Sequence, residues 1–260
     1  MRYEEFPADP SVRHLVVNFW IFSTDDRDPE RFEHTIVPDG TSSIGMSRHS
    51  PAAVPLATFV GPRVTAAKVP VVVGARYCGI RFQPWAGGAA LGLNIVSLRD
   101  RLGPLAMVSP HKAQLMLESL DDATDDAAIV LGLERVARVL AREARSVDAI
   151  VARAVEAIVD SDGLSRIVDV AAAVGVGERT LQRRFRAAVG LTPKEFARMR
   201  RIRHACLLAM QGSELGLAGV SSDAGFADQA HLTREFGGVF GWSPRLLLAY
   251  LERIEHGNIT

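Results

Sequence analysis

Two stretches of this chain follow one plan about fifty residues apart, and that duplication constrains the fold more than any other feature. In residues 164–192, LSRIVDVAAAVGVGERTLQRRFRAAVGLT, apolar Ile167, Val170, Ala171 and Val174 recur at helical spacing, and Gly175 and Gly177 then interrupt the pattern. A second helical pattern begins at Glu178. It turns Leu181, Phe185 and Val189 inward and Arg179, Gln182, Arg183 and Arg186 outward. Residues 215–244, LGLAGVSSDAGFADQAHLTREFGGVFGWSP, repeat the order. Leu217, Val220 and Ala224 precede a Gly225-Phe226 turn, and the next helix places Leu232, Phe236 and Val239 inward with Gln229, His231, Thr233 and Arg234 outward. Both units also close alike, with Gly190-Leu191-Thr192-Pro193 and Gly241-Trp242-Ser243-Pro244, where a hydroxyl caps a helix that proline opens.

This is what a helix-turn-helix requires: small residues where two helices meet, a glycine at the turn, and long polar donors near the start of the second helix. Arginine can fork onto guanine and glutamine can pair with adenine in the major groove. The charge distribution agrees. The chain holds 30 Lys+Arg against 30 Asp+Glu, yet from Arg179 to Arg203 every charged residue except Glu195 is basic. Such a run is the electrostatic footprint of a surface that meets phosphates. Within it, Arg184, Arg198 and Arg203 are equally well explained by solvation or by intramolecular ion pairs.

With these residues in view, positions 150–251 resemble the DNA-binding domain of the AraC/XylS family of transcription regulators. The likeness rests on Ala171, Gly175, Leu181-Gln182-Arg183, Phe185, Gly190 and Pro193, then on Ala224-Gly225-Phe226, Asp228-Gln229, Arg234, Phe236, Gly241 and Ser243-Pro244. It implies about seven helices, two recognition helices in successive major grooves, and a rigid connecting helix over residues 194–210. It also implies Arg179, Gln182 and Arg183 as base readers, Arg186 nearer the phosphate backbone, and Gln229, Thr233 and Arg234, with His231 in addition, as the readers of the second unit. Two departures stand out. Gly177 occupies a position where a capping serine is common, and Gly237-Gly238 follow the second unit's Phe236 at roughly 1 kcal/mol each relative to alanine. The second unit is therefore expected to be shorter, looser and weaker in phosphate contact than the first.

The N-terminal half reads differently. Leu15–Phe22, Leu56–Val60, Val69–Val73 and Tyr77–Phe82 are short, β-branched or aromatic runs, and Pro38-Asp39-Gly40 is a turn signal. After Pro84 the pattern becomes helical over Trp85–Leu91, Pro110–Leu120 and Asp125–Arg145. The last of these carries Ile129, Leu133, Val136 and Leu140 as one stripe, suited either to pairing with a second chain or to packing on its own domain; the second is favoured. The expected fold class is α+β in two domains: residues 1–145, a β-rich sensor-like barrel or sandwich with flanking helices, and residues 146–260, all helical.

Residues 1–145 also resemble, less specifically, cupin-like or other β-rich sensor domains that precede this DNA-binding module, through Ile36-Val37-Pro38-Asp39-Gly40 and Gly79-Ile80-Arg81-Phe82-Gln83-Pro84. That resemblance implies a small effector, dimerisation, or both. Trp20, Phe22, Arg81 and Trp85 are the candidate effector-binding residues, as aromatic walls with one positioned charge. A protein partner in place of a ligand is the alternative. An enzyme is the remaining class and is not expected: His14, His34, His49 and His111 form no paired metal motif, no Gly-flanked nucleophilic serine or phosphate loop is found, and two cysteines cannot build a cysteine-rich zinc site. Cys78 reads as a buried strand residue. No cofactor and no metal are expected. The expected partners are double-stranded DNA, an effector, a second copy of the chain as a homodimer and RNA polymerase, with no membrane; the expected localisation is cytoplasmic, because no leader or membrane-spanning run appears.

Overall fold

A computed structural model describes residues 1–24, 28, 31–48, 53–210 and 216–256. His49 and Leu215 lie outside the described residues. The strands are β1 (Arg2–Pro7), β2 (Val16–Ser23), β3 (Arg31–Ile36), β4 (Ser43–Arg48), β5 (Leu56–Val60), β6 (Ala67–Val72), β7 (Arg76–Phe82), β8 (Leu102–Pro104) and β9 (Glu255–His256). The helices are α1 (Gly87–Leu91), α2 (Pro110–Ser119), α3 (Asp126–Glu143), α4 (Ala149–Asp160), α5 (Ile167–Ala173), α6 (Glu178–Val189), α7 (Pro193–Met210), α8 (Gly216–Asp223), α9 (Gln229–Phe240) and α10 (Pro244–Leu251).

Seven strands form one sheet in the order β8-β5-β4-β7-β2-β1-β9, antiparallel except where β9 runs parallel to β1. Strands β3 and β6 make a separate antiparallel ribbon. The sheet does not close, so the barrel alternative is corrected: the edges of the described sheet are the short β8 and β9 rather than a seam joining first strand to last. Alternation along β2 and β7 explains the layers. Phe19, Ile21, Cys78, Ile80 and Phe82 face the core beneath helices α2 and α3. Trp20, Phe22 and Tyr77 face the other way, where Phe32 and Val71 of the β3–β6 ribbon cover them. The Trp20 indole lies across Gly45 and Gly79, paired residues of β4 and β7, and a Cβ on Gly79 would collide with its ring.

Helix α3 carries the apolar stripe seen in the sequence. Ile129, Leu133, Val136 and Leu140 are all buried in the sheet's own core. The stripe packs at home, and each such side chain stabilises by roughly 1.5–3 kcal/mol relative to exposure; it offers no free seam to a second chain.

Helices α4 to α10 are the seven expected for the C-terminal part. They surround two small cores. Val151, Val155, Ile158, Val170, Leu181, Phe185 and Phe196 make the first. Met199, Ile202, Val220, Leu232, Phe236 and Leu247 make the second. Helix α7 contributes Phe196 and Ala197 to one and Met199, Ile202 and Cys206 to the other, so a single 18-residue rod is shared by both units.

Candidate nucleic-acid interface

In the first unit α5 and α6 meet through a turn in which Gly175 takes φ +75°, a left-handed conformation that favours glycine. Leu181, Phe185 and Val189 are fully buried, while Arg179, Gln182, Arg183 and Arg186 are exposed along the opposite side of α6. Gln182 donates from Nε2 to Glu178 Oε1 at 3.0 Å, one helical turn away. Gly177 caps α6 without a side-chain hydrogen bond, as the missing hydroxyl requires. Arg184 points elsewhere. Its guanidinium forks onto Asp148 with two bonds of 2.8 Å, and Asp148 in turn accepts from the N–H groups of Ile150 and Val151 at the start of α4. Arg184 first, together with those two N–H groups, holds the Asp148 carboxyl below its ordinary range.

In the second unit Asp228 caps α9 by accepting from His231 N–H. Gln229, Thr233 and Arg234 are exposed, with Thr233 Oγ1 donating to Gln229 O at 2.8 Å. His231 is engaged internally: Nδ1 accepts from Ala227 N–H at 3.3 Å, Nε2 lies 3.7 Å from Glu235 Oε1, and the ring stands edge-on to Phe226. Arg198 of the connecting helix pairs with the same Glu235. Thus Arg184 and Arg198 are both tied by carboxylates of the chain. Contrary to the expectation of a shorter second unit, α9 and α6 are both 12 residues long. The Asp228 cap and the burial of Val239 and Phe240 beyond Gly237-Gly238 carry the helix through its glycines.

The connecting helix starts with a reciprocal capping box. Thr192 Oγ1 accepts from Glu195 N–H, and Glu195 Oε2 accepts from Thr192 N–H at 2.8 Å. Burial alone would raise the Glu195 carboxyl, yet Arg99 and Thr192 together hold it below the usual range. A groove of about 540 Å³ beside α6 is lined by Gln182, Arg166, Lys194 and Arg201, so three cations flank the exposed Gln182. Arg166 was not singled out from the sequence, because it precedes α5 and sits apart from the basic run.

The four candidate effector residues do not converge. Trp20 and Phe22 share the layer under the β3–β6 ribbon. Arg81 donates to Glu5 Oε1 at 2.6 Å and Tyr3 Oη at 2.8 Å and lies 3.3 Å from Asp39. Burial works against its charge, but Asp39, Tyr3 and Glu5 raise the Arg81 guanidinium above its ordinary value. Trp85 is separate: with Arg145, Arg183 and Ala188 it lines a cleft of about 320 Å³ between α1 and α6. Burial pushes the Cys78 and Cys206 thiols up to about 12. Among the described residues no cluster of three His, Cys, Asp or Glu could hold a metal ion, and no helix is long and apolar enough to cross a membrane.

Residues 170–249, from within α5 to within α10, match the family described as "Helix-turn-helix domain". Those residues therefore form a helix-turn-helix domain. Residues 4–104 match a domain of unknown function, DUF6597. No curated protein matches the chain. Among solved structures, it is similar to a transcriptional regulator with an AraC-type DNA-binding domain from Chromobacterium violaceum, at 24% identity over 40% of this chain and 93% of that one, with a TM-score of 0.38. ToxT from Vibrio cholerae O395 aligns at 11% identity over 93% of this chain and 99% of its own, with a TM-score of 0.44. ToxT with bound unsaturated fatty acid, from Vibrio cholerae strain SCE256, aligns at 12% identity over 89% and 93%, with a TM-score of 0.41.

Proposed function

We propose that the chain, as an AraC-type DNA-binding regulator, recognises a specific duplex site by laying α6 and α9 into successive major grooves on one face of the DNA. The carrying observation is that each unit presents an exposed polar face on a helix anchored by three buried apolar residues, with Arg179, Gln182, Arg183 and Arg186 on one and Gln229, Thr233 and Arg234 on the other. Arg179, Gln182 and Arg183 read base edges, and Arg186 meets the backbone. The internal bonds of His231 favour a strut that orients the start of α9 over a base reader. At 1.5 Å per residue the 18-residue α7 is about 27 Å long, close to the roughly 34 Å groove repeat. A monomer site of about twenty base pairs or fewer suits two adjacent grooves. Selection from random duplexes with the purified chain, at stated salt, tests this reading: an enriched two-part motif supports it, and the absence of any sequence preference overturns it.

We assign reading to residues 146–260 and control to residues 1–145. Control by a small molecule is supported by the cleft at Trp85, because a ligand seated on that indole would touch the N-terminal part and Arg183 at once. A metabolite panel in a thermal-shift assay tests it. A ligand-dependent rise in melting temperature that Trp85→Ala removes supports sensing, whereas no response together with dimers by light scattering favours control by self-association.

A further inference from the structure

Residues 61–68, the link from β5 into the first two residues of β6, touch both helix-turn-helix units from the N-terminal side. Pro62 abuts Gly190, the residue that ends α6 in a left-handed turn, and a Cβ on Gly190 would strike the proline ring. Two residues on, Val64 packs against the core of the first unit. Two further on, Ala66 packs against the core of the second, and its N–H donates to Val239 O in the last turn of α9 at 2.8 Å. Lys68 then places its ammonium 5.4 Å from the centre of the Trp242 ring. The same few residues therefore grip the C-terminal ends of both recognition helices and leave their exposed Arg and Gln faces uncovered.

The segment is itself held. Asp100, at φ +54°, donates its N–H to Pro62 O at 2.9 Å and accepts from Val64 N–H at 3.0 Å. Its neighbour Arg99 bonds the Asp100 carboxylate and forks onto Glu195, at the first turn of the connecting helix. The two units share α7 and also meet where Leu164 abuts Gly225, and residues 61–68 add a further tie from the N-terminal side.

We propose that residues 61–68, anchored by Arg99 and Asp100, are a positioning brace that sets the spacing and rotation of α9 relative to α6, and so fixes the half-site spacing the regulator accepts. This rests on the two-groove reading proposed above. One base pair inserted between half-sites moves the second by about 3.4 Å and turns it by roughly 35°, a displacement that a rigid pair of readers cannot follow and a loosened pair can.

The test uses the full chain and its selected duplex, with affinities measured for the native spacing, for spacings one base pair longer and shorter, and for each half-site alone. The wild-type chain is expected to lose at least tenfold on either change of spacing. Ala66→Pro removes the N–H that reaches Val239 O, and Arg99→Gln removes the fork onto Glu195. Both are expected to keep half-site affinity within about twofold while the discrimination between spacings falls below threefold. Variants that keep the wild-type discrimination overturn the brace, as does an equal loss on half-sites and full sites. Should Ala66→Pro fail to fold, Arg99→Gln and Lys68→Ala decide by the same ratio. A wild-type chain with no duplex preference would instead sink the DNA-reading proposal, a result distinct from any of these.

Discussion

Tyr250, in the last helix, shares a hydrogen bond of 2.6 Å between its hydroxyl and Nδ1 of His34 on β3, and the same oxygen accepts the N–H of Thr35 at 2.9 Å. Burial disfavours the charged ring and pushes His34 down to about 4. In the unfolded chain a histidine titrates near 6.5. Between those values the unfolded state binds more protons than the folded one, so the contribution of His34 is complete above about pH 6.5 and is lost as pH falls toward 4. Urea midpoints at pH 7.5, 6 and 5 should fall more steeply for the wild type than for His34→Gln; parallel curves would show that His34 carries no pH-linked stability.

Arg183 and Arg186 are both exposed on α6, but they should fail differently. Arg183→Ala is expected to cost about 1–3 kcal/mol on the best site and to relax base choice, while Arg186→Ala should weaken all sequences alike and flatten the salt slope by about one. Competition assays at several salt concentrations separate the two, and identical behaviour would reject the division of labour.

Nothing lies within 4 Å of a Cβ built on Gly237, which is exposed within α9. Gly237→Ala should therefore stabilise the chain by about 0.5–1 kcal/mol, through reduced freedom of the unfolded backbone. Chemical denaturation reads the effect directly; a loss of stability would mean the glycine is required where it stands.

Asp228 is the only side-chain cap observed at the start of α9. Replacing it with alanine should cost about 0.5–2 kcal/mol. Because the same carboxylate receives the His231 N–H, contacts in the second half-site should weaken more than those in the first, which footprinting on the selected duplex would reveal.

Phe185 is fully buried and meets Phe196 with ring centres 5.6 Å apart, joining α6 to the connecting helix. Phe185→Ala is expected to cost about 3–5 kcal/mol and to unfold the first unit before it alters any DNA contact. Loss of helical signal at lower temperature checks this, and an unchanged melt would contradict the packing described.

The duplicated units were legible because their information is local: inward residues recur every three or four positions, and glycine and proline mark each end. The α3 stripe was legible for the same reason. The strands of β2, β5, β6 and β7 could be read from their β-branched runs, but not their neighbours, since pairing such as Trp20 with Gly79 joins residues distant in the chain. Strand β1 lay before the segment read as strands, and β9 is two residues long. Strand parity does put Trp20, Phe22 and Arg81 on one side of the sheet, yet Trp85 lies beyond the Pro84 turn and ends in another place. Ion pairs such as Arg99 with Glu195 and Arg184 with Asp148 span separations over which charge patterning carries no signal. The length of α9 was misjudged because two glycines were weighed without the cap and the core that outweigh them.

The grip of residues 61–68 on both recognition helices bears on how such proteins can be recombined. A chimaera cut only near residue 145 would treat the two parts of the chain as interchangeable. Here a foreign reader would have to seat the ends of both helices against Pro62 and Ala66 in the same register, so a working transplant must carry its matching loop along with the helices.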